Sequence, residues 1–243
     1  MSSTRFRTDE LEAVAYDFWL APEVADFDGW RLRFAHGVTG RANSVWPNGA
    51  GNLPLEERIE RAERWYRDRG AAVLFQLTEA AQPEGLEEAV AERGYERRHA
   101  PVSVELALLD DVLERTHGDA QLTDELDDAW LELWASTRGF SNVAVGRALL
   151  TGGDAVFARI GDIAVGRGVA VGEWLGITSM VTLPEARRQG HARAIVHSLA
   201  RWAAGRGCTR AMLQVDSTNV AARRLYAGAG FAPHHEYRYL ILR

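Results

Sequence analysis

Residues 187–192 read Arg-Arg-Gln-Gly-His-Ala and place two cations and a glycine in one short segment. The segment follows an apolar, β-branched run, Ile177–Leu183, and apolar residues recur after it at helical spacing. This pattern predicts a strand, then a loop, then the first turn of a helix. The N–H groups of such a turn have no partner within the helix, and the helix dipole adds partial positive charge. Gly190 allows the backbone to approach a bulky anion, so the segment predicts a phosphate-binding loop.

A second segment, Asn219–Phe231, contains a proton donor. It reads Asn-Val-Ala-Ala-Arg-Arg-Leu-Tyr-Ala-Gly-Ala-Gly-Phe, and its spacing predicts a short helix that ends at glycine. Tyr226 lies on this helix, and a tyrosine hydroxyl can act as a general acid. One predicted helix and one predicted strand separate the two segments. The fold must therefore bring Tyr226 toward the ligand that the first segment holds.

Together, Arg-x-x-Gly-x-Ala at 187–192 and Asn-x-x-Ala-x-x-Leu-Tyr-x-x-x-Gly-Phe at 219–231 closely resemble the paired signatures of the GNAT superfamily of acyl-CoA transferases. The resemblance covers about residues 123–243 by motif. It implies acetyl-CoA as the co-substrate and assigns the CoA pyrophosphate to the loop residues Arg187, Arg188, Gln189, Gly190, His191 and Ala192. It also implies that main-chain groups near Met180, Val181 and Thr182 hold the pantetheine arm and polarise the thioester carbonyl. Asn219 would contact the pantetheine, and Tyr226 would protonate the departing CoA thiolate.

The resemblance leaves open the base that deprotonates the acceptor amine. GNAT enzymes often carry a glutamate on the strand before the pyrophosphate loop, and the nearest position here is Gly176, which has no side chain. Glu173 lies three residues earlier and is the candidate catalytic base. A water relay or a residue from the first half of the chain are the alternatives.

The first half of the chain repeats the second half in weakened form. Arg69-Gly70, Gln76 and Gly94-Tyr95 correspond to Arg206-Gly207, Gln214 and Gly230-Phe231, at offsets of 136 to 138 residues. In each half a helical pattern ends in Arg-Gly, a β-rich run follows, and a short helix closes on glycine and an aromatic residue. We predict an α/β fold of two tandem GNAT-like units, each a mixed, mostly antiparallel twisted sheet flanked by helices.

The two copies differ at the predicted phosphate loop. In the first copy Glu56 and Glu57 stand where the second has arginines, and these carboxylates would repel a pyrophosphate. We therefore predict that residues 1–115 form a degenerate GNAT-like domain without a CoA-binding loop, and that residues 116–243 form the catalytic GNAT domain. A helix is predicted over about 123–137, with an acidic first turn.

Composition limits the class of protein. The chain has 243 residues and no lysine. Its net charge is −6 and no basic stripe dominates either half, which argues against broad nucleic-acid binding. No run approaches the ~18 apolar residues of a membrane span, and the N-terminus lacks the apolar stretch of a signal peptide. The His234-His235-Glu236 segment lacks further ligands at metal-like spacing. We expect a cytoplasmic protein with no metal and with no nucleic-acid or membrane partner, and the oligomeric state stays open.

The predicted function is that of an N-acetyltransferase that moves an acetyl group from acetyl-CoA to the amine of a small molecule by direct attack. An amino acid such as glutamate is one acceptor, and a protein N-terminus or an antibiotic are others. The main alternative is a catalytically silent CoA-binding regulatory protein, and a third is a protein that binds another phosphorylated ligand. Arg31, Arg33 and Arg41 would pair with an acceptor carboxylate if they face the shared cleft, or else form a solvated strand face.

Overall fold

A computed structural model describes residues 6–137 and 142–242. Its α-helices in this part of the chain are α1 Thr8–Asp17, α2 Leu55–Arg67, α3 Leu86–Glu92, α4 Leu109–Arg115, α5 Asp128–Ser136, α6 Val143–Leu150, α7 His191–Ala204 and α8 Val220–Gly228. Its strands are β1 Glu23–Phe27, β2 Trp30–Phe34, β3 Val45–Trp46, β4 Leu74–Leu77, β5 Glu96–Arg97, β6 Val102–Leu108, β7 Gln121–Thr123, β8 Asp154–Ile160, β9 Ala164–Val171, β10 Trp174–Thr182, β11 Arg210–Asp216 and β12 Ala232–Ile241.

The strands form one continuous sheet in the order β1-β2-β3-β4-β12-β6-β11-β10-β9-β8-β7, with β5 paired to the end of β12. Neighbouring strands are antiparallel except for two parallel pairs, β3 with β4 and β10 with β11. Each half contributes the same order of helix, strand, short helix and strand that the repeat predicts. The predicted α/β fold class, with a mixed and mostly antiparallel sheet, is confirmed.

Two strands join the halves by crossing between them. β6 precedes residue 115, yet it pairs with β11 along its whole length, from Leu108 opposite Arg210 to Val102 opposite Asp216. β12 pairs with β6 through its first part and with β4 from Arg238 to Ile241. The strands of the two halves are therefore interleaved, and a domain boundary near residue 115 stays a prediction from the sequence.

The sheet carries helices on both faces. On one face, α7 buries the apolar stripe that its 3.6-residue spacing predicts, including Ile195 and Leu199, against β8, β9 and β10. On the other face, α1, α5 and α6 pack a second core that includes Leu11, Trp130 and Leu149. We refer to these as the α7 face and the α1 face. Alternating side chains along one strand point to opposite faces, so a residue's position decides which core it joins.

Helix α5 begins later than the sequence predicts. The predicted helix begins at about residue 123, but Thr123 is the last residue of β7 and the helix starts at Asp128. The carboxylate of Asp127 caps it by accepting the main-chain N–H of Trp130 at 2.7 Å, which satisfies a donor that has no partner within the helix. Within residues 6–137 and 142–242, no helix is both long enough and apolar enough to cross a bilayer.

Candidate active site

The loop before α7 has the backbone conformation of an anion-binding turn. Arg188 and Gly190 both adopt left-handed conformations, with φ of 62° and 88°, and α7 begins at the next residue. A Cβ at Gly190 would meet no atom within 4 Å, so the positive φ and not crowding favours glycine there. The side chains of Arg187, Arg188 and Gln189 are exposed. The predicted phosphate loop thus presents two cations and the free N–H groups of a helix N-terminus to solvent.

The two parallel strands that flank this loop separate from one another. β10 and β11 pair from Trp174 with Arg210 to Ile177 with Leu213, and the pairing stops there. β10 nevertheless continues to Thr182 and β11 to Asp216. The ends of the two strands therefore form a V-shaped gap, and α7 begins just beyond the end of β10. Main-chain groups that line this gap are free to bind an extended ligand arm.

A bulge in β10 lies at the gap. The register with β9 passes from Thr178 opposite Arg167 to Val181 opposite Val165, which leaves Ser179 and Met180 out of the ladder. Ser179 has a φ of 56°, an uncommon conformation for a residue other than glycine. The hydroxyls of Thr178 and Ser179 are buried without a hydrogen-bond partner among the described residues. Buried hydroxyls without partners are costly, so these atoms mark a place for a polar ligand.

Helix α8 brings Tyr226 to the α7 face of the same gap. Asn219 caps this helix by accepting the N–H of Ala222 at 3.1 Å, and its own side chain is exposed. Tyr226 lies two turns later, 7% exposed, and its ring packs edge-on against Phe231 at 6.0 Å. Tyr226 shares the core under α7 with Leu213, the last residue of β11 that pairs with β10, and Asn219 follows the end of β11 by three residues.

The surroundings of Tyr226 keep its hydroxyl protonated. Burial raises the pKa of Tyr226 to about 12, and the negative charge of Glu105 adds to this shift. Glu105 comes from β6, in the first half of the chain, and is itself buried beside Arg223 of α8, with Nε 3.3 Å from Oε1. Burial also raises the pKa of Glu105, although the Arg223 guanidinium opposes that shift.

A small polar cavity lies on the α1 face of the sheet. Gln214 of β11, the residue after the last pair between β10 and β11, contributes one wall. Because Leu213 joins the core under α7, Gln214 points to the opposite face. The remaining walls come from α1, β2, β3, β4 and the turn before β3: Glu12, Ala15, Tyr16, Arg33, Arg41, Trp46 and Gln76. The gap between β10 and β11 therefore has Tyr226 on one face and this cavity on the other.

Comparison with known proteins agrees with this geometry. A family described as "Probable histone acetyltransferase Rv0428c C-terminal" matches residues 7–240. The chain belongs to this family. The uncharacterized N-acetyltransferase YobR of Bacillus subtilis is 28% identical over 96% of this chain and 98% of its own length. The probable histone acetyltransferase Rv0428c of Mycobacterium tuberculosis is 29% identical over 95% of this chain and 72% of its own length.

Solved structures share the fold of this Rv0428c-type chain. A GCN5-related N-acetyltransferase from Kribbella flavida has a TM-score of 0.66 and 17% identity, and the match covers 98% of this chain and 96% of that one. A tandem GNAT protein from the clavulanic acid biosynthesis pathway has a TM-score of 0.57 and 12% identity, with coverage of 100% and 89%. The chain is a GNAT acyltransferase.

An aromatic ring packs against the strand position that often carries the base in GNAT enzymes. Gly176 lies in β10 against Phe18, which follows α1, and a Cβ at Gly176 would stand 2.5 Å from atoms of that ring. Phe18 is 2% exposed and belongs to the core on the α1 face. A glutamate at residue 176 would displace this ring. Glycine at residue 176 therefore allows Phe18, and with it the end of α1, to pack against β10.

The structure places Glu173 at the end of β10 that lies farthest from the bulge. Glu173 lies in the turn between β9 and β10, where its carboxylate is 3.1 Å from Arg210 Nε and accepts the hydroxyl of Thr209 at 3.0 Å. The bulge at Ser179 is six residues further along β10, which corresponds to about 20 Å of strand. Glu173 therefore sits at the opposite end of β10 from the gap, and its role as base stays a prediction from sequence alone.

The corresponding loop of the first half contains an internal anion. Asp28, in the turn between β1 and β2, accepts the main-chain N–H of Asn52 at 2.9 Å and that of Leu53 at 3.0 Å, just before α2. These hydrogen bonds lower the pKa of the Asp28 carboxylate. Arg58 of α2 lies with its Nε 3.2 Å from the same carboxylate. The N–H groups that bind a phosphate in a typical loop of this kind are engaged by Asp28.

Glu12, Gln76, Gln214 and Glu105 were not among the predicted site residues. The repeat held the signal for two of them, since Gln76 and Gln214 occupy equivalent places in the two β-rich runs and line one cavity. Glu12 and Glu105 carry no such local signal. His235 is buried with its Nε2 2.8 Å from Glu12. Among residues 6–137 and 142–242, no group of three or more His, Cys, Asp or Glu side chains is placed to hold a metal.

Proposed function

We propose that the chain is an acetyl-CoA-dependent N-acetyltransferase that acts on a small amine, with one CoA site per chain, in residues 116–243. The observation that carries this proposal is the gap between β10 and β11 beyond Ile177 and Leu213. The gap has the phosphate-binding loop at one edge, Tyr226 on one face and a polar cavity on the other. That arrangement fits a donor and an acceptor that meet from opposite faces of the sheet.

The residues of the gap are suited to hold CoA. The exposed arginines Arg187 and Arg188 and the first-turn N–H groups of α7 would bind the pyrophosphate, and the unpaired main chain near Ser179–Thr182 would bind the pantetheine arm. The hydroxyls of Thr178 and Ser179 would find partners in such a ligand. When bound, acetyl-CoA supplies an acetyl group activated as a thioester. The main-chain donors at the bulge are fixed before the ligand arrives, which favours polarisation of a carbonyl.

Tyr226 holds the proton that a thiolate leaving group requires. With a pKa of about 12, its hydroxyl is protonated throughout the neutral range, so it acts as an acid and not as a base. Tyr226 lies on the α7 face, and α7 begins directly after the phosphate loop, so we take this face as the donor side of the gap.

We assign the base to Glu12, acting directly or through a water molecule. The two first-half carboxylates buried near the gap are Glu12 and Glu105, both no more than 3% exposed. Glu105 faces α8 and is paired with Arg223, whereas Glu12 lines the cavity beside Gln214 on the acceptor side. Glu12 is the carboxylate in the described lining of this cavity, so it can accept the proton that leaves an amine bound on that side.

The second candidate is a CoA-binding protein without turnover. The packing of Phe18 against Gly176 favours it, because the strand position that often carries the base in GNAT enzymes is closed here. Such a protein would use the same phosphate loop and gap but would release no thiol.

Thiol release in the presence of acetyl-CoA separates the two candidates. Purified protein is incubated with acetyl-CoA and a panel of amines that includes amino acids, aminoglycosides and a histone-derived lysine peptide, and acetylated products are identified by mass spectrometry. We expect turnover on small amines and a CoA stoichiometry of one by calorimetry. The chain contains no lysine, so acetylation of its own side-chain amines adds no background. Tight CoA binding with no thiol release on any amine would establish the silent alternative.

A further inference from the structure

The cavity on the α1 face contains more positive than negative charge. Arg33 and Arg41 contribute two guanidinium groups, and within the described part of the chain Glu12 supplies the one carboxylate of the lining. Burial lowers the pKa of Arg33, and the charge of Glu12 opposes this only in part. Buried cations are ordinarily paired, so a surplus cation in a cavity beside a reaction site indicates an anionic group of the ligand.

Arg33 and Glu12 are already held by neighbouring side chains. Arg33 is 3% exposed, and its Nη2 donates to Ser44 Oγ at 2.7 Å and to Gln76 Oε1 at 3.0 Å. The other end of Gln76 donates to Glu12 Oε2 at 2.7 Å, and His235 Nε2 lies 2.8 Å from Glu12 Oε1. This chain of contacts fixes both charged groups in place. Among the described residues, neither Arg33 nor Arg41 forms an ion pair with a carboxylate within 4 Å.

Arg41 is the guanidinium of the cavity that has a buried donor without a partner in the described part of the chain. Its Nε is shielded from solvent and has no hydrogen-bond partner among the described residues. The guanidinium carbon lies 5.9 Å from the centre of the Trp19 ring, which limits the directions that the side chain can take. A buried donor without a partner costs free energy, and a ligand that supplies the acceptor recovers it.

We propose that Arg41 binds a carboxylate of the acceptor, so that the acceptor is a small amine that carries a carboxylate, of the amino-acid type. The planar fork of a guanidinium matches the two oxygens of a carboxylate. Arg41 and Gln214 line one cavity, and Gln214 follows directly on the last pair of β10 and β11. A short molecule bound to Arg41 by its carboxylate therefore extends its amine toward the gap. This inference deepens the proposed function and rests on it.

Matched pairs of acceptors test the proposal. Each amino acid is compared with its own amide, which keeps the amine and removes the negative charge. We expect the natural protein to prefer the acid form, and Arg41→Ala to lose about 10- to 100-fold in kcat/KM for the acid while the amide is unchanged. Arg41→Lys keeps the charge without the fork and should retain part of the preference. Arg61 lies on the exposed side of α2, and Arg61→Ala is the matched control. It should leave kcat/KM unchanged for both acceptors.

The proposal is overturned if the natural protein has the same kcat/KM for the acid and its amide. It is also overturned if Arg41→Ala and Arg41→Lys, shown to be folded by circular dichroism, lower kcat/KM equally for both acceptors. Calorimetry with an N-acetylated amino acid and its amide, in the presence of CoA, gives a readout that needs no turnover. If no amine is acetylated but the N-acetylated acid still binds in an Arg41-dependent manner, the carboxylate site stands and the acetyltransferase proposal fails. If the acid does not bind better than the amide, the carboxylate site fails.

Discussion

Asp28 accepts the main-chain N–H of Leu53 at 3.0 Å, at the strand-to-helix loop of the first half. In the second half the equivalent loop precedes α7 and presents its exposed arginines to solvent. The same local geometry thus serves two purposes in one chain. One copy satisfies its N–H groups from within, and the other leaves them for a ligand.

Replacement of Asp28 by Asn should lower the melting temperature at neutral pH. The main-chain hydrogen bonds lower the pKa of Asp28 in the folded state, so its ionised form stabilises the fold above the unfolded pKa, about 3.9. That contribution is lost as the pH falls through the folded-state pKa. The difference in melting temperature between the natural protein and Asp28→Asn should therefore shrink below pH ~4. Thermal scans from pH 3 to 8 measure this, with exposed Asp124→Asn as the control, and a pH-independent difference would contradict it.

Replacement of Arg188 by Ala should weaken CoA binding about 10-fold, because one charged hydrogen bond to phosphate is lost. The effect should diminish at high salt, since Arg188 is exposed. Calorimetry with CoA at two ionic strengths measures both. Arg201 lies on α7, the helix that follows this loop, and is paired with Asp119 on the surface, so Arg201→Ala should bind CoA normally. An unchanged Kd for Arg188→Ala would argue against the loop as the pyrophosphate site.

The loop was predictable from sequence because its determinants are local. Gly190 and its neighbours lie within six residues, and the strand before them and the helix after them have clear periods. The cavity was not predictable in the same way, because Glu12 on α1, Arg41 in the turn before β3 and Gln214 on β11 meet only in the folded chain. The sequence left open whether Arg33 and Arg41 face a shared cleft or a solvated strand face; in the structure Arg33 is buried, and both line the cavity on the α1 face. Arg31 instead forms a half-exposed pair with Asp26.

Replacement of Gly176 by Ala should destabilise the protein by about 1–3 kcal/mol through overpacking against Phe18. The added Cβ would stand 2.5 Å from a ring that is itself buried. Gly205→Ala, where the nearest atom is 3.4 Å away, is the control and should be neutral or slightly stabilising. In a double-mutant cycle, Phe18→Leu should relieve part of the cost of Gly176→Ala. Additive effects in denaturant unfolding would show that the two positions are not coupled.

Replacement of Glu12 by Gln should lower kcat about 100-fold if Glu12 is the base, because general-base catalysis contributes at least that factor. Gln keeps the size of the side chain and an acceptor for the amide of Gln76, so the fold should persist. The rate with an amine that is already neutral at the assay pH should fall less than the rate with a fully protonated amine. Equal losses for both kinds of amine would assign Glu12 a structural role.

Replacement of Tyr226 by Phe should lower kcat about 100-fold and leave the Kd for CoA unchanged, because the hydroxyl acts on the leaving group and not on binding. Tyr226 is needed in its protonated form, and with a pKa of about 12 that form is lost only as the pH rises through this value. The kcat of the natural protein should therefore show no decline from Tyr226 between pH 7 and 9. Steady-state rates over that range, with direct CoA titration, measure both effects. Tyr95→Phe removes a hydroxyl from the first-half core and should leave kcat unchanged. If Tyr226→Phe retains full kcat, the departing thiolate is protonated from elsewhere.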